Sequence, residues 1–134
     1  MADLENTCQQ FADIFHGQSK LENGVCFVTL RRTFHVTIQG KTSVDVAHAE
    51  ISFESLDPSG NALNLAEIAV LQEEVPRFVW SLSQQGIIVS AIHNHWIFTN
   101  PVLLYVHLQA VEPPLMFAKK LANSFIHLNS KPVS

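Results

Sequence analysis

Residues 66–95 read AEIAVLQEEVPRFVWSLSQQGIIVSAIHNH, and the hydrophobic period changes twice along them. The first six residues close a strand-like run, LNLAEIAVL, that begins at Leu63. From Val75 the apolar residues recur at helical spacing, as Val75, Phe78, Val79 and Leu82. Pro76 suits only the start of such a helix, where its missing N–H would have no partner anyway, and Gly86 ends it. Glu73 and Glu74 fall in the first turn, where negative charge complements the helix dipole. IIVSAIHNH is extended again. Strand, helix, strand is a crossover, and it normally makes its two strands parallel neighbours.

Working outward, VLLYVHLQA (residues 102–110) reads as a further strand, joined to the last by a hairpin loop FTNPV. EPPLMFAKKLANSFIHL then reads as a helix opened by prolines, with Phe117, Leu121 and Phe125 facing inward. Upstream, VAHAEISFES alternates, with Ala47, Ala49, Ile51 and Phe53 on one face and His48, Glu50, Ser52 and Glu54 on the other. DPSGN is a turn, so residues 47–71 form a hairpin. GVCFVTLRRTFHVTIQG is extended, with Arg31-Arg32 marking either a turn or a bulge. Asp3 can cap a helix that buries Leu4, Cys8, Phe11 and Phe15. The expected fold is α+β: one domain over residues 1–134, with a mostly antiparallel sheet, an N-terminal helix and a frayed tail at 129–134.

Composition narrows the function classes. The 134 residues are 47% hydrophobic and 15% charged, with a formal net charge of -4. Only 8 residues are Lys or Arg, too few for the basic patch that displaces counterions from nucleic acid. No apolar run is long enough to span a bilayer, and MADLENTCQQ lacks a basic leader region, so no membrane and a cytoplasmic location are expected. Cys8 and Cys26 fall at apolar positions and are expected to be buried free thiols. Walker loops, nucleophile elbows and HExxH helices are all missing.

The histidines are the chemistry-bearing feature. His93 and His95 are two apart on a strand and therefore share a face. With FTNPV as the loop, His93 stands opposite His107 and His95 opposite Tyr105. The crossover helix starts at the same end of the sheet, which brings Glu73 and Glu74 to them. Three imidazoles and a carboxylate are a ligand set for Zn²⁺ or another divalent transition metal. Asn94 and Tyr105 would orient the ligands from behind. His16, His35 and His127 read as surface or boundary residues, and His48 with Glu50 as a solvated face or, as the alternative, a second polar patch.

The segment EEVPRFVWSLSQQGIIVSAIHNH, with Pro101 and His107 after it, resembles the signature of the bacterial LppY/LpqO-related family. The matching positions are Glu74, Val75, Gly86, Ile87, Ala91, Ile92, His93, Asn94, His95, Pro101 and His107. The resemblance singles out Glu74 over Glu73 and His93, His95 and His107 over the other histidines. It implies no activity, because that family is known chiefly as uncharacterised. Two departures stand out: Arg32, Thr33 and Phe34 replace the family's Arg-x-Asp, and Gln109, Ala110 and Val111 replace an aromatic and a glycine.

Three functions are compatible with these residues. The first is a divalent-metal-binding domain. The second is a metal-free module that binds a small ligand or self-associates into a homo-oligomer through Trp96, Ile97 and Phe98. The third is a metal-dependent hydrolase, which requires an open coordination position.

Overall fold

Alternating side chains do build a sheet, and the computed structural model describes it for residues 2–134. The chain opens with helix α1 (Ala2–Ile14), then strands β1 (Ser19–Glu22), β2 (Val25–Arg31), β3 (Thr37–Ile38) and β4 (Lys41–Thr42). Next come β5 (His48–Glu54), β6 (Ala62–Leu71), helix α2 (Val75–Gln84) and β7 (Ile88–His93). It closes with β8 (Thr99–Asn100), β9 (Leu103–Glu112) and helix α3 (Pro114–Ser124). Six strands form one antiparallel sheet in the order β1-β2-β5-β6-β9-β7, while β4-β3-β8 form a small second sheet. The architecture is α+β, as the periodicities require.

The crossover expectation needs a correction. β6 and β7 are parallel, but β9 lies between them and pairs with both. β9 runs for ten residues and offers its backbone N–H and C=O groups on both edges, pairing with β6 on one and β7 on the other. The hairpin register shifts as well: His93 pairs with Tyr105 and Ala91 with His107. The cause is β8, whose Thr99 and Asn100 pair with Ile38 and Thr37 of β3 and draw residues 94–102 away from a tight loop. The slip is even, so His93 keeps its face.

Helices cover one side of the large sheet. Phe11 of α1 with Phe15 just after it, Phe78 and Leu82 of α2, and Phe117 and Leu121 of α3 pack on Ile51, Phe53, Ile68, Val106 and Leu108. Phe11 and Phe53 meet edge to face, 5.0 Å between centroids, which adds aromatic geometry to the apolar burial. Asp3 lies within the first turn of α1 rather than before it, since the helix starts at Ala2. Cys8 and Cys26 are buried as expected but are not free: they form a disulfide, with Cα atoms 5.6 Å apart. Helix and sheet packing bring both side chains to one point, which spacing alone does not show.

The other side of the sheet is covered only at one end. Arg31 ends β2, and residues 33–47 leave the sheet to fold over its face. There Val36, Val46 and Ala47 pack on Ala69, Leu103 and Tyr105. The Arg-Arg pair is thus a strand end, neither turn nor bulge. β1 was not foreseen; it enters through an Asn23-Gly24 turn with φ of 53° and 78°, the left-handed pair a two-residue hairpin requires. The final segment, expected to fray, carries a backbone bridge between Arg31 and Val133.

Candidate metal centre on the open sheet face

Three adjacent strands place polar residues where the 33–47 cover ends. Along β6 the residues of this face run from buried Ala69 to half-buried Glu67 and exposed Leu65. Along β9 they run from buried Tyr105 to half-buried His107 and exposed Gln109. Along β5 they are His48, Glu50 and Ser52. Glu67 is the direct cross-strand partner of both Glu50 and His107. Polar groups therefore collect at a boundary, partly dry and partly open to solvent.

The ligand atoms of His48, Glu50 and Glu67 all lie within 4.8 Å of one another. Oε1 of Glu67 is 3.9 Å from Nε2 of His48 and 4.0 Å from Nε2 of His107. Both distances are inside the roughly 4.2 Å that two ligands of one transition-metal ion can span end to end. His107 in turn faces His93, Nε2 to Nε2, at 2.9 Å. Nδ1 of His48 contacts the Asp45 carbonyl at 2.9 Å, which orients the ring and leaves Nε2 for the cluster. Among the described residues, no Lys or Arg forms an ion pair with Glu50 or Glu67. Two carboxylates directly opposite each other on paired strands repel, so a cation placed between them is stabilising.

The sequence-derived quartet divides. His93 and His107 meet. The His95 ring is exposed, 5.9 Å from the His93 ring and 4.6 Å from that of Trp96, and it joins no three-ligand group among the described residues. Asn94 is exposed and orients no imidazole. Tyr105 is the wall against which the His48, His93 and His95 rings pack, at 5.7, 6.2 and 5.5 Å between centroids. Its hydroxyl donates to the Val46 carbonyl at 2.6 Å instead of to a histidine. Burial first, and the Glu67 charge second, push the Tyr105 hydroxyl up to about 12.

Glu74 belongs to a different arrangement. Oε1 accepts from Nη1 of Arg32 and from the Leu71 amide, at 2.9 and 2.7 Å. Oε2 accepts from Nη2 of Arg32 and the Asn129 amide, both at 2.7 Å. A carboxylate has about four lone-pair sites, and these four donors use them. Burial alone would raise its pKa, but Arg32's hydrogen bonds and charge, with the two amides, hold it below the ordinary carboxylate value. Arg32 also donates to the carbonyls of Ala69 and Ser130, so the pair ties β6, the start of α2 and the C-terminal segment together. Glu74 is a structural anchor there and has no lone pair left for an ion.

Glu67 is the residue that sequence reasoning passed over, while His48 and Glu50 were read as a solvated face or a second polar patch. The hairpin over 47–71 was readable and sets Glu50 opposite Glu67. The missing step was β9, whose place beside β6 brings His107 to Glu67.

A cleft of about 690 Å³ opens beside the cluster, bounded by Glu50, Glu67, His107, Ser90, Phe27 and Leu65 among others. That volume is in the range of small-molecule sites. Fold and site together define a small α+β domain with a histidine–carboxylate cluster at the mouth of a sheet-face cleft. The chain belongs to the family described as Domain of Unknown Function (DUF1259), whose model matches residues 9–126. The whole cluster falls inside that match. Comparisons with curated proteins and with solved structures found no match.

Proposed function

We propose that this domain binds a divalent transition metal on its open sheet face, with His48, Glu50 and Glu67 as the ligands. The observation that carries the reading is the convergence of these three ligand atoms within 4.8 Å, with no Lys or Arg ion pair on either carboxylate among the described residues. One imidazole and two carboxylates suit Zn²⁺, Mn²⁺, Fe²⁺ or Co²⁺ better than a thiolate-seeking ion. Three protein ligands leave a further position that faces the cleft, where water or a small ligand binds. This favours a hydrolytic or ligand-sensing role over a closed structural site. The test is metal content by plasma mass spectrometry after incubation with Zn²⁺, Mn²⁺ or Co²⁺. At least one retained equivalent is expected, lost in His48→Ala and Glu67→Gln. Retention of no metal by the parent protein would overturn the reading.

A second reading, self-association, rests on Trp96, Ile97 and Phe98, which are 46%, 68% and 73% exposed beside the unpaired edge of β7. No helix among the described residues is long and apolar enough to cross a membrane. A cytoplasmic chain was expected, whereas the Cys8–Cys26 bridge suits an oxidising compartment. Thiol counting on protein taken from its own cells distinguishes the two.

A further inference from the structure

We infer that the metal-loaded cleft takes a small organic carboxylate with an apolar body, its carboxylate on the ion and its body in a slot above Ser52; this rests on the metal reading above. The open face of the sheet is arranged in rows, because cross-strand partners point the same way. One row holds Thr29, Glu50, Glu67 and His107. The next, two residues further from the 33–47 cover, holds Phe27, Ser52, Leu65 and Gln109.

In that second row a small residue stands between two large ones. Phe27 and Leu65 are 40% and 37% exposed, and Ser52 between them is too short to cover either. Paired strands lie about 4.8 Å apart, so a slot roughly one side chain wide opens above Ser52, with Phe27 and Leu65 as its walls. The slot follows β5, along which Ser52 leads to Glu50 and His48, two of the three proposed metal ligands. Same-face residues on a strand are about 6.7 Å apart, a span that two methylenes between a carboxylate and a ring can cover. Phe27, Ser52, Leu65, Glu50 and Glu67 all line the one cleft.

Charge selects the head group. The acids of the cleft are Glu22, Glu50 and Glu67, and Lys20, the one lysine or arginine of its described lining, is paired with Glu22 at 3.0 Å. Free of metal, this lining repels an anion and suits an organic amine instead. A divalent ion on Glu50 and Glu67 offsets their charge and presents a Lewis-acidic position to an anionic oxygen. The slot walls are apolar, so the body that fits them is apolar as well, and its burial takes Phe27 and Leu65 out of water. Binding of the acid therefore depends on the ion for its head and on the slot for its body.

Calorimetric titration of the full chain, Zn²⁺-loaded and metal-free, with 3-phenylpropanoate, acetate and 3-phenylpropylamine tests the assignment. Zinc content is measured on the same samples. The loaded chain is expected to bind 3-phenylpropanoate roughly tenfold tighter than acetate, which shares only the head group. The metal-free chain should bind neither acid. Ser52→Leu, which fills the slot, should keep its zinc and lose the preference for the ring, and Leu65→Ser, which removes a wall, should weaken it; circular dichroism checks that both variants are folded. Equal affinity for the two acids, or a preference unchanged in Ser52→Leu, would overturn the slot while the retained zinc leaves the metal reading intact. Tighter binding of the amine than of the acid by the loaded chain would overturn the carboxylate class. No retained zinc would overturn both readings.

Discussion

Arg32 and Glu74 carry the largest electrostatic consequence of any two side chains described here, because both are fully buried. Removing one partner leaves the other charge without solvent or counterion. Arg32→Met is therefore expected to destabilise the fold by about 3–5 kcal/mol in urea unfolding, and Arg32→Met/Glu74→Leu to recover most of that loss. The pair also sets an acid limit. The folded-state pKa of Glu74 lies below its ordinary value of 4.5, so its contribution to stability is complete above that pH. As pH falls from 4.5 through the lowered folded value, the unfolded chain takes up the proton first and this contribution is lost. Urea midpoints measured down this range should drop in the parent chain and drop less steeply in the Arg32→Met/Glu74→Leu variant. The same two residues show where reading by residue type stops. Glu74 looked like a ligand beside the histidines, yet Arg32, distant in sequence, takes its oxygens.

At the scale of elements, α1 is fastened to the sheet both by its aromatic face and by a covalent bond. Phe11 and Phe15 and the half-buried Leu4 recur at helical spacing, and this face was legible. The bond between Cys8 and Cys26 was not, since apolar neighbours suit free and paired cysteines alike. It closes a loop of sequence separation 18, for which chain entropy gives about 3 kcal/mol. Cys8→Ala/Cys26→Ala should accordingly lose about that much in guanidinium unfolding while retaining the far-ultraviolet spectrum. Metal retention should be unaffected, because the bridge lies in the helix-facing core and the cluster on the opposite side. The hairpin of β5 and β6 was equally legible, because Asp57–Asn61 supplies its own turn hydrogen bonds. β7 was legible in face but neither in its end, which falls at His93 and leaves His95 outside the strand, nor in register, since pairing of β8 with β3 is a tertiary event.

For the molecule as a whole, the sheet has one dry face, one half-covered face and an exposed apolar tip. Three large side chains in water at residues 96–98 carry a hydration cost that a second copy of the chain can relieve. Sedimentation equilibrium at rising concentration should show a reversible shift toward dimer, abolished by Ile97→Ser/Phe98→Ser. A monomer at all concentrations would remove self-association as a reading of that tip. Metal loading and association are separable, since the tip contributes no ligand to the cluster.

By itself the sequence determined which segments alternate and which wind, hence the α+β class, the helix faces, the central hairpin and the face on which His93 lies. These properties are local: they depend on periods of two and 3.6 residues and on turn chemistry within a few positions. Tertiary structure alone decided that β9 enters between β6 and β7, that Arg32 takes Glu74, and that residues 33–47 stop short of Glu67. Such outcomes depend on which distant strands share backbone hydrogen bonds, and no period along the chain records that choice. The candidate centre is assembled by that choice, so Glu67 became visible only once its neighbours on both sides were known.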